Sequence, residues 1–521
     1  MPKVYQPFTI KEFGTLRFTS TLDRAAMADN EAAQLDNYNF TEMKTLTKRL
    51  GWQNRQNNFV STNTLPAGGT VIQPGNVRML GLQRRSPTGS LANKYYFTNA
   101  TKTGVWTVED NFVGNQFNLV TPTNQQLDGA EWLVAAATPA FPYQMQLCRS
   151  TGGMVGINVG GVPTAFTGSP AGTHMSLFKS RLFMINSLHT SGQESRLNFS
   201  EPLDYGNWPA ANNIDISPAD GEFLVATVVF NDQLILFKNR STYVLTADGA
   251  PTSWIVRKLH PTIGCVGRGT PIIISGFIYF CSADGVYRTD GTTFERISEP
   301  IDGLIKSRLF AYQSNMVLNR DAVFYDDKYI LMLPDGFGSN IHLFVYDVRV
   351  DQWSRWVMGS GVETQGFAQY QEASPSLLVS GAKNSNKLFS MGNPIYADDS
   401  TAYQCNFVSK AFDGGDPTSY KRNYAATVEV GANSNEAGSA GVQVTLQKET
   451  TESSGGTHAP TSDNVGTVNF YDLNRKSLRY PGIGLYRYIG ISINNLGTTK
   501  VEVFGFTLLN GEPKQLISKS T

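Results

Sequence analysis

Any catalysis or metal binding by this chain would have to be built from a small set of side chains. Its five histidines, His174, His189, His260, His342 and His458, are scattered. None lies at the i, i+4 spacing that puts two ligands on one helix face. Cys148, Cys265, Cys281 and Cys405 are never at CxxC spacing, which argues against a Cys-type zinc site and a disulfide framework. The acid pairs Asp326-Asp327 and Asp398-Asp399 are immediate neighbours, and on a strand neighbours point to opposite faces. They read as solvated turn acids rather than as a general acid with its base. GxSxG, GxxxxGK[ST], HExxH and a GxGxxG between strand and helix are all absent. Gly153, Gly156, Gly160 and Gly161 could cradle a phosphate only if a helix N-terminus followed, and the pattern shows none, so they read as turn glycines. The expectation is a protein that is not an enzyme, with no catalytic, cofactor-binding or metal-ligating residue and no cofactor.

Composition narrows the class further. Lys plus Arg and Asp plus Glu are 43 each in 521 residues, giving a net charge of zero, and only 17% of residues are charged. That balance speaks against a strongly basic nucleic-acid reader and against an acidic disordered chain. The basic clusters Arg84-Arg85 and Lys421-Arg422, with Lys410 nearby, are small, sit in polar turns and come with no recognition helix. The opening residues lack an apolar signal-like core and no run of about 18 apolar residues occurs, so neither a signal peptide nor a membrane span is expected. The sequons at Asn39, Asn99, Asn198 and Asn239 carry no weight without a secretory signal.

The elements that would position these residues are strands. Apolar runs of four to six residues alternate with turn residues, and long 3.6-residue periods are nearly missing, so the chain reads as all-β. Two short helices are predicted, one N-capped by Asp29 and running through Ala32, Ala33 and Leu35 with Glu31 in its first turn, the other following Pro300 through Ile301, Leu304, Ile305 and Leu309. Hairpin-like units begin near Lys94, Met145, Arg181, Gln233, Phe277, Lys328 and Ser376, at intervals of 51, 36, 52, 44, 51 and 48 residues that average 47. A four-stranded propeller blade spans about 40–50 residues. Asp284-Gly285 and Asp335-Gly336 supply turn chemistry. Trp106, Trp208, Trp254, Phe294, Trp353 and Trp356 recur late in the units, where packing between blades uses large flat side chains. The expected architecture is a β-propeller of seven blades, the 36-residue step leaving six open.

Beyond Tyr403 the texture changes. Thr427–Val430, Val442–Leu446, Arg487–Ile493 and Val501–Phe506 largely alternate apolar and polar residues, as half-buried sandwich strands do. Gly431 to Gly441 and Thr450 to Gly466 are rich in Gly, Ser, Asn and Thr and read as loops. The division that follows is an N-terminal segment, 1–60, joining a platform; a propeller, 61–400; and a C-terminal β-sandwich platform, 401–521. A propeller brings its ends together, and the first segment is too short for a core of its own.

Two stretches resemble a known family. Lys11-Glu12-Phe13-Gly14-Thr15-Leu16, Asp29-Asn30-Glu31-Ala32, Leu35-Asp36-Asn37-Tyr38 and Lys48-Arg49-Leu50-Gly51 resemble the segment leading into the propeller of tailed-bacteriophage tail proteins. Ser409-Lys410-Ala411-Phe412-Asp413-Gly414-Gly415-Asp416-Pro417 with Lys421-Arg422 looks like the lead into their C-terminal sandwich. Ser200 to Tyr205, Asn207-Trp208, Ile263-Gly264-Cys265 and Asp284-Gly285-Val286-Tyr287 are similar to blade motifs of the same proteins, whose nearest group is the tail nozzle, or tail tubular protein B, of short-tailed phages. Thr15 departs from the pattern, which usually has a second Gly-Leu, and the chain is shorter than the largest nozzle proteins.

The resemblance implies a structural virion protein in a homo-oligomeric ring, a hexamer being expected. Such a ring attaches to the head–tail adaptor and portal, carries tail fibres or spikes, and passes double-stranded DNA non-specifically through its bore during ejection. Its place is the virion, after assembly in the host bacterial cytoplasm. A neutral chain suits a conduit, because each lumen cation paired with phosphate adds affinity for the cargo. The alternative is a carbohydrate-binding or receptor-binding tail propeller, which calls for aromatics exposed beside carboxylates, such as Asp284 or Asp335 near Tyr287 or Trp353. The partner-contact residues are not marked by any motif.

Overall fold

In the computed structural model, four-stranded antiparallel sheets follow one another along the chain and close into a ring of seven. The described residues are 5–17, 24–56, 78–83, 94–98, 104–109, 118–122, 132–134, 145–148, 153–157, 163–166, 168–186, 192–310, 321–334, 341–358, 362, 364–370, 377–382, 387–416, 419–432, 441–449, 461–468 and 476–511. Six blades are read straight along the sequence, within 78–122, 132–165, 174–215, 224–260, 272–296 and 321–357. The seventh consists of Thr364–Tyr370, Leu377–Ala382 and Leu388–Met391, and its outer strand, Gln53–Gln56, comes from the other end of the chain. Thr364–Tyr370 lies beside Arg78–Gln83 of the first blade, which closes the circle.

The ring has seven blades, so the six-blade alternative falls. Lys94, Met145, Arg181, Gln233, Phe277 and Lys328 each open the second strand of their blade, and Ser376 immediately precedes the second strand of the seventh. The 36-residue step falls at the second blade, where every strand has three residues. Aromatic contacts join neighbouring blades: Trp254 of the fourth lies 4.8 Å from Phe199 of the third, and Phe280 of the fifth 4.8 Å from Phe237 of the fourth. Trp353 and Trp356 are buried, while Trp208, Trp254 and Phe294 are half-buried. The side chain of Trp106 lies outside the described residues.

The first hairpins of the third to sixth blades share one turn chemistry. Lys179-Ser180, Asn231-Asp232, Ser275-Gly276 and Asp326-Asp327 all have φ between 46° and 82°, the positive values at both positions that a two-residue type I′ turn requires. Asp284-Gly285 departs from the expectation. Gly285 does not have a positive φ; its value is space, since a Cβ there would lie 2.5 Å from Ser298 Oγ. Asp335-Gly336 lies outside the described residues.

The platform is a sandwich of two sheets. One orders Tyr38–Phe40, Leu46–Lys48, Val501–Gly511, Lys421–Ala432 and Lys476–Tyr486, with Tyr5–Ile10 also pairing with Val501–Gly511. The other orders Ala32–Asp36, Thr401–Ser409, Tyr488–Gly497, Gly441–Glu449 and Thr461–Val468. This second sheet is continuous with the sixth blade, because Asp36 pairs in parallel with Arg355 of the blade's outer strand. A single apolar cluster accordingly runs from Phe407, Ile491 and Leu508 in the sandwich to Tyr329 and Trp353 in the blade. The helix Asp302–Phe310, which follows Pro300 as expected, contributes Ile305 and Leu309 to it.

Several local expectations are corrected. Ala32–Asp36 is a strand, not a helix: its partner is Thr401–Ser409, and that pairing buries Ala32, Leu35 and Asp36. Tertiary pairing outweighs the helix preference of Ala, Gln and Leu. Gly156 is in the strand Val155–Ile157, and Gly153 sits where a Cβ would meet Ser169 Oγ at 2.7 Å. They are strand and close-approach glycines rather than turn residues; Gly160 and Gly161 lie outside the described residues. The stretch Thr450 to Gly466 is not all loop, because Thr461–Val468 is a strand. Gln53–Gln56, within the 1–60 segment assigned to the platform, belongs to the seventh blade.

Gly264 tests the packing argument. A Cβ there would lie 2.3 Å from Lys238 O and 2.5 Å from Arg240 N, both fixed backbone atoms. Gly264→Ala is expected to cost about 1–3 kcal/mol by urea unfolding; an unchanged midpoint would mean the two segments separate without cost.

Candidate functional site: the propeller–platform clasp

Motif residues of the N-terminal segment meet the chain that follows the seventh blade where the ring closes on the platform. Arg49, whose side chain is 0% exposed, forms a bidentate ion pair with Asp398: Nη2 to Oδ2 is 2.6 Å and Nη1 to Oδ1 is 3.0 Å. Its remaining donors go to Asn37 Oδ1 at 2.8 Å, Leu50 O at 2.8 Å and Val357 O at 3.4 Å. The guanidinium lies 3.9 Å from the centre of the Tyr403 ring, and the Tyr403 hydroxyl donates to Arg49 O. Burial works against the charge, but Asp398 and Tyr403 outweigh it and raise the Arg49 pKa above its ordinary value.

Each partner is positioned by a local requirement. Asn37 has φ 61°, the left-handed region that Asn tolerates best among residues with a side chain. From there Oδ1 also accepts Val357 N at 2.9 Å and Nδ2 donates to Gln404 O at 2.7 Å, tying the platform strand to the sixth blade. Asp398 Oδ1 accepts Trp52 N at 3.0 Å, immediately before the closing strand Gln53–Gln56. Gly51 permits this approach, since a Cβ there would be 2.0 Å from Ala397 O. Asp36, buried beside it, holds Arg355 through Oδ1 and Oδ2 at 2.7 and 3.0 Å.

A layer of buried polar groups continues into the sandwich. Lys48 Nζ donates to Asn495 Oδ1, Tyr403 O and Gly497 O and stands 4.3 Å from the Tyr403 ring centre. Burial lowers its pKa. Burial pushes the Cys405 thiol up to about 12, and its Sγ lies 3.4 Å from Asn37 O. The second motif stretch joins the N-terminal segment: Lys410 pairs with Asp29 at 2.7 Å, Arg24 donates to Ser409 O at 2.7 Å, and Phe412 lies 4.6 Å from Phe8.

The structure revises the reading of the acid pairs. Asp398 is buried and ion-paired rather than solvated, and Asp399 pairs with Lys387 at 2.5 Å. Asp326 and Asp327 are the turn acids expected, reaching Lys328 at 2.7 Å and Arg349 at 3.9 Å. Lys421 is also buried; Arg84-Arg85 lies outside the described residues. The four cysteines are buried, and none is in a disulfide. Among the described residues no group of three or more His, Cys, Asp or Glu is placed to hold a metal, and no helix is long and apolar enough to cross a membrane. His174 Nε2 lies 2.9 Å from Thr227 O, and His260 Nδ1 accepts the backbone N–H groups of Thr262 and Ile263; His189 and His458 lie outside the described residues. Asp284 and Tyr287 are brought together by a 2.7 Å hydrogen bond, but Trp353 is buried with Nε1 donating to Ile297 O.

No protein-family model matches the chain, and no curated protein does. Among solved structures it is similar to the Neurospora crassa Pan2 WD40 domain, at 9% identity over 63% of this chain and 98% of that one, with a TM-score of 0.37. It is also similar to BBS1N in its complex with ARL6DN, at 10% identity over 67% and 99%, with a TM-score of 0.41. A puromycin-hydrolysing peptidase of Mycobacterium tuberculosis matches at 10% identity over 71% and 61%, with a TM-score of 0.36. Likenesses at this level carry no activity or partner across to this chain; the propeller rests on its own strand order.

Two outcomes follow from the clasp. Asp398→Ala strands a buried guanidinium and is expected to cost about 3–5 kcal/mol; adding Arg49→Met should return part of that loss, and strict additivity in a double-mutant cycle would refute direct pairing. Cys405, protonated well above neutrality, should resist thiol reagents at pH 8 until the chain is unfolded; rapid labelling of the native protein at Cys405 would contradict its burial.

Proposed function

We propose that the chain is a structural virion protein, a tail nozzle or hub subunit of a short-tailed phage, acting as a ring component and not as an enzyme. The observation that carries this reading is the convergence of the family-like stretches. Residues 11–16, 29–38 and 48–51 resemble one part of the tail proteins and residues 409–422 another, and in the fold they meet in one platform through the Asp29–Lys410 ion pair and the strand pairing of Ala32 with Ser409.

The remaining features fit the role. Zero net charge suits a bore that must let DNA slide. A propeller clasped to a sandwich is a rigid module, and rigid modules can form heterologous contacts that close into a ring. In this reading a homo-oligomeric ring, with six copies expected, meets the head–tail adaptor above, carries fibres or spikes at its flank, and forms part of the DNA ejection conduit in the virion.

Light scattering of the purified chain, with and without the portal–adaptor complex of the same phage, tests the proposal. The expected result is a ring of about six copies on the complex. A chain whose mass is indifferent to the complex would overturn it, and glycan binding by that chain would establish the receptor-binding alternative.

A further inference from the structure

Away from the clasp, one cleft is floored by polar groups that the fold leaves unmatched. It has a volume of about 230 Å³ and lies between the first strand, the turn after Phe412 and the end of the last strand. Tyr486 on its floor is 0% exposed, and its hydroxyl has no hydrogen-bond partner among the described residues. A buried hydroxyl without a partner is costly, so one that persists calls for an explanation. Beside it Lys421, 2% exposed, donates from Nζ to Asp416 O and to Ser419 O. An ammonium has three N–H donors, so one remains.

The turn keeps the space above both groups open. Gly414 has φ 63°, and a Cβ there would lie 3.1 Å from Lys421 Cδ and 3.8 Å from Tyr486 Oη. Asp413 also lines the cleft, its Oδ1 accepting Gly415 N at 2.9 Å. Lys410, at the rim, is paired with Asp29. Pro7 and Phe8 supply an apolar wall. The floor therefore offers two donors, the Tyr486 hydroxyl and the third N–H of the Lys421 ammonium. Burial lowers the Lys421 pKa, against the opposing pull of Asp416 and Asp413.

We propose that this cleft is a binding site for a carboxylate on a short aliphatic stem, accepted by the Tyr486 hydroxyl and the Lys421 ammonium, with its methylenes against Phe8 and Pro7. An acidic side chain of a partner polypeptide and a free small carboxylate share this chemistry. The site does not depend on the tail reading, and its test is separate.

The test uses the full chain, propionate followed by saturation-transfer NMR, and two short peptides identical except for a central Glu or Gln followed by calorimetry. Tyr486→Phe keeps the ring and removes only the unmatched hydroxyl, so it should melt no lower than the wild type. It should bind propionate or the Glu peptide about tenfold more weakly, the worth of one hydrogen bond to a charged group. The Gln peptide should bind more weakly than the Glu peptide. Saturable binding of propionate alone identifies a small carboxylate as sufficient, and binding of the Glu peptide alone identifies a partner's acidic side chain. Absence of saturable binding by both, or equal binding by wild type and Tyr486→Phe, would overturn the proposal.

Discussion

The fold depends on one buried ion pair. Arginine brings five N–H donors, and Arg49 places them on Asn37, Leu50, Val357 and, twice, Asp398. Removing both charges from water is expensive, and the attraction between them returns little more than that expense. The value of the pair is therefore selective. Any register of the closing strand Gln53–Gln56 that misplaces Arg49 leaves a charge buried and unpaired, so competing closures of the ring are penalised far more than the correct one is favoured.

The same constraint ties distant parts of the chain into one unit. Tyr5–Ile10 pairs with Val501–Gly511, Ala32–Asp36 with Thr401–Ser409, and Gln53–Gln56 with Leu388–Met391. Nearly every strand of the N-terminal segment thus waits for a partner more than three hundred residues away. Closing such separations is entropically costly before any contact rewards it. A propeller alone would lack its seventh outer strand, and a sandwich alone would lack Tyr5–Ile10, Ala32–Asp36, Tyr38–Phe40 and Leu46–Lys48.

What was legible in the sequence follows from burial. The second strand of a blade is covered on both faces, as in Arg181–Ile185, Gln233–Lys238 and Phe277–Cys281, where four or five consecutive residues are buried. Those strands read as unbroken apolar runs, and their spacing revealed the blades. Outer strands do not: Ile255–His260 has no fully buried residue, and Gln53–Gln56 is entirely polar, so no hydrophobic pattern marks it as the strand that closes the ring. Asp398 was hidden for a different reason. Asp398-Asp399 looks like an exposed turn pair, and only the three-dimensional return of Arg49 distinguishes the buried acid from its exposed-looking neighbour. The cleft at Tyr486 was equally silent, because an unmatched hydroxyl is a property of surroundings and not of residue type.

The sheet shared by the sixth blade and the platform explains why the clasp lies where it does. An outer blade strand presents a row of free N–H and C=O groups, a liability that proteins cover or blunt. At the sixth blade that edge is used: Asp36 pairs with Arg355 in the ladder, and their side chains repeat the pairing as a bidentate ion pair. Asn37 then bonds both Val357 and Arg49 through one oxygen. One residue thereby couples the blade's edge to the ring's closure, so motion of the sandwich against the sixth blade would have to break the Arg49 shell as well.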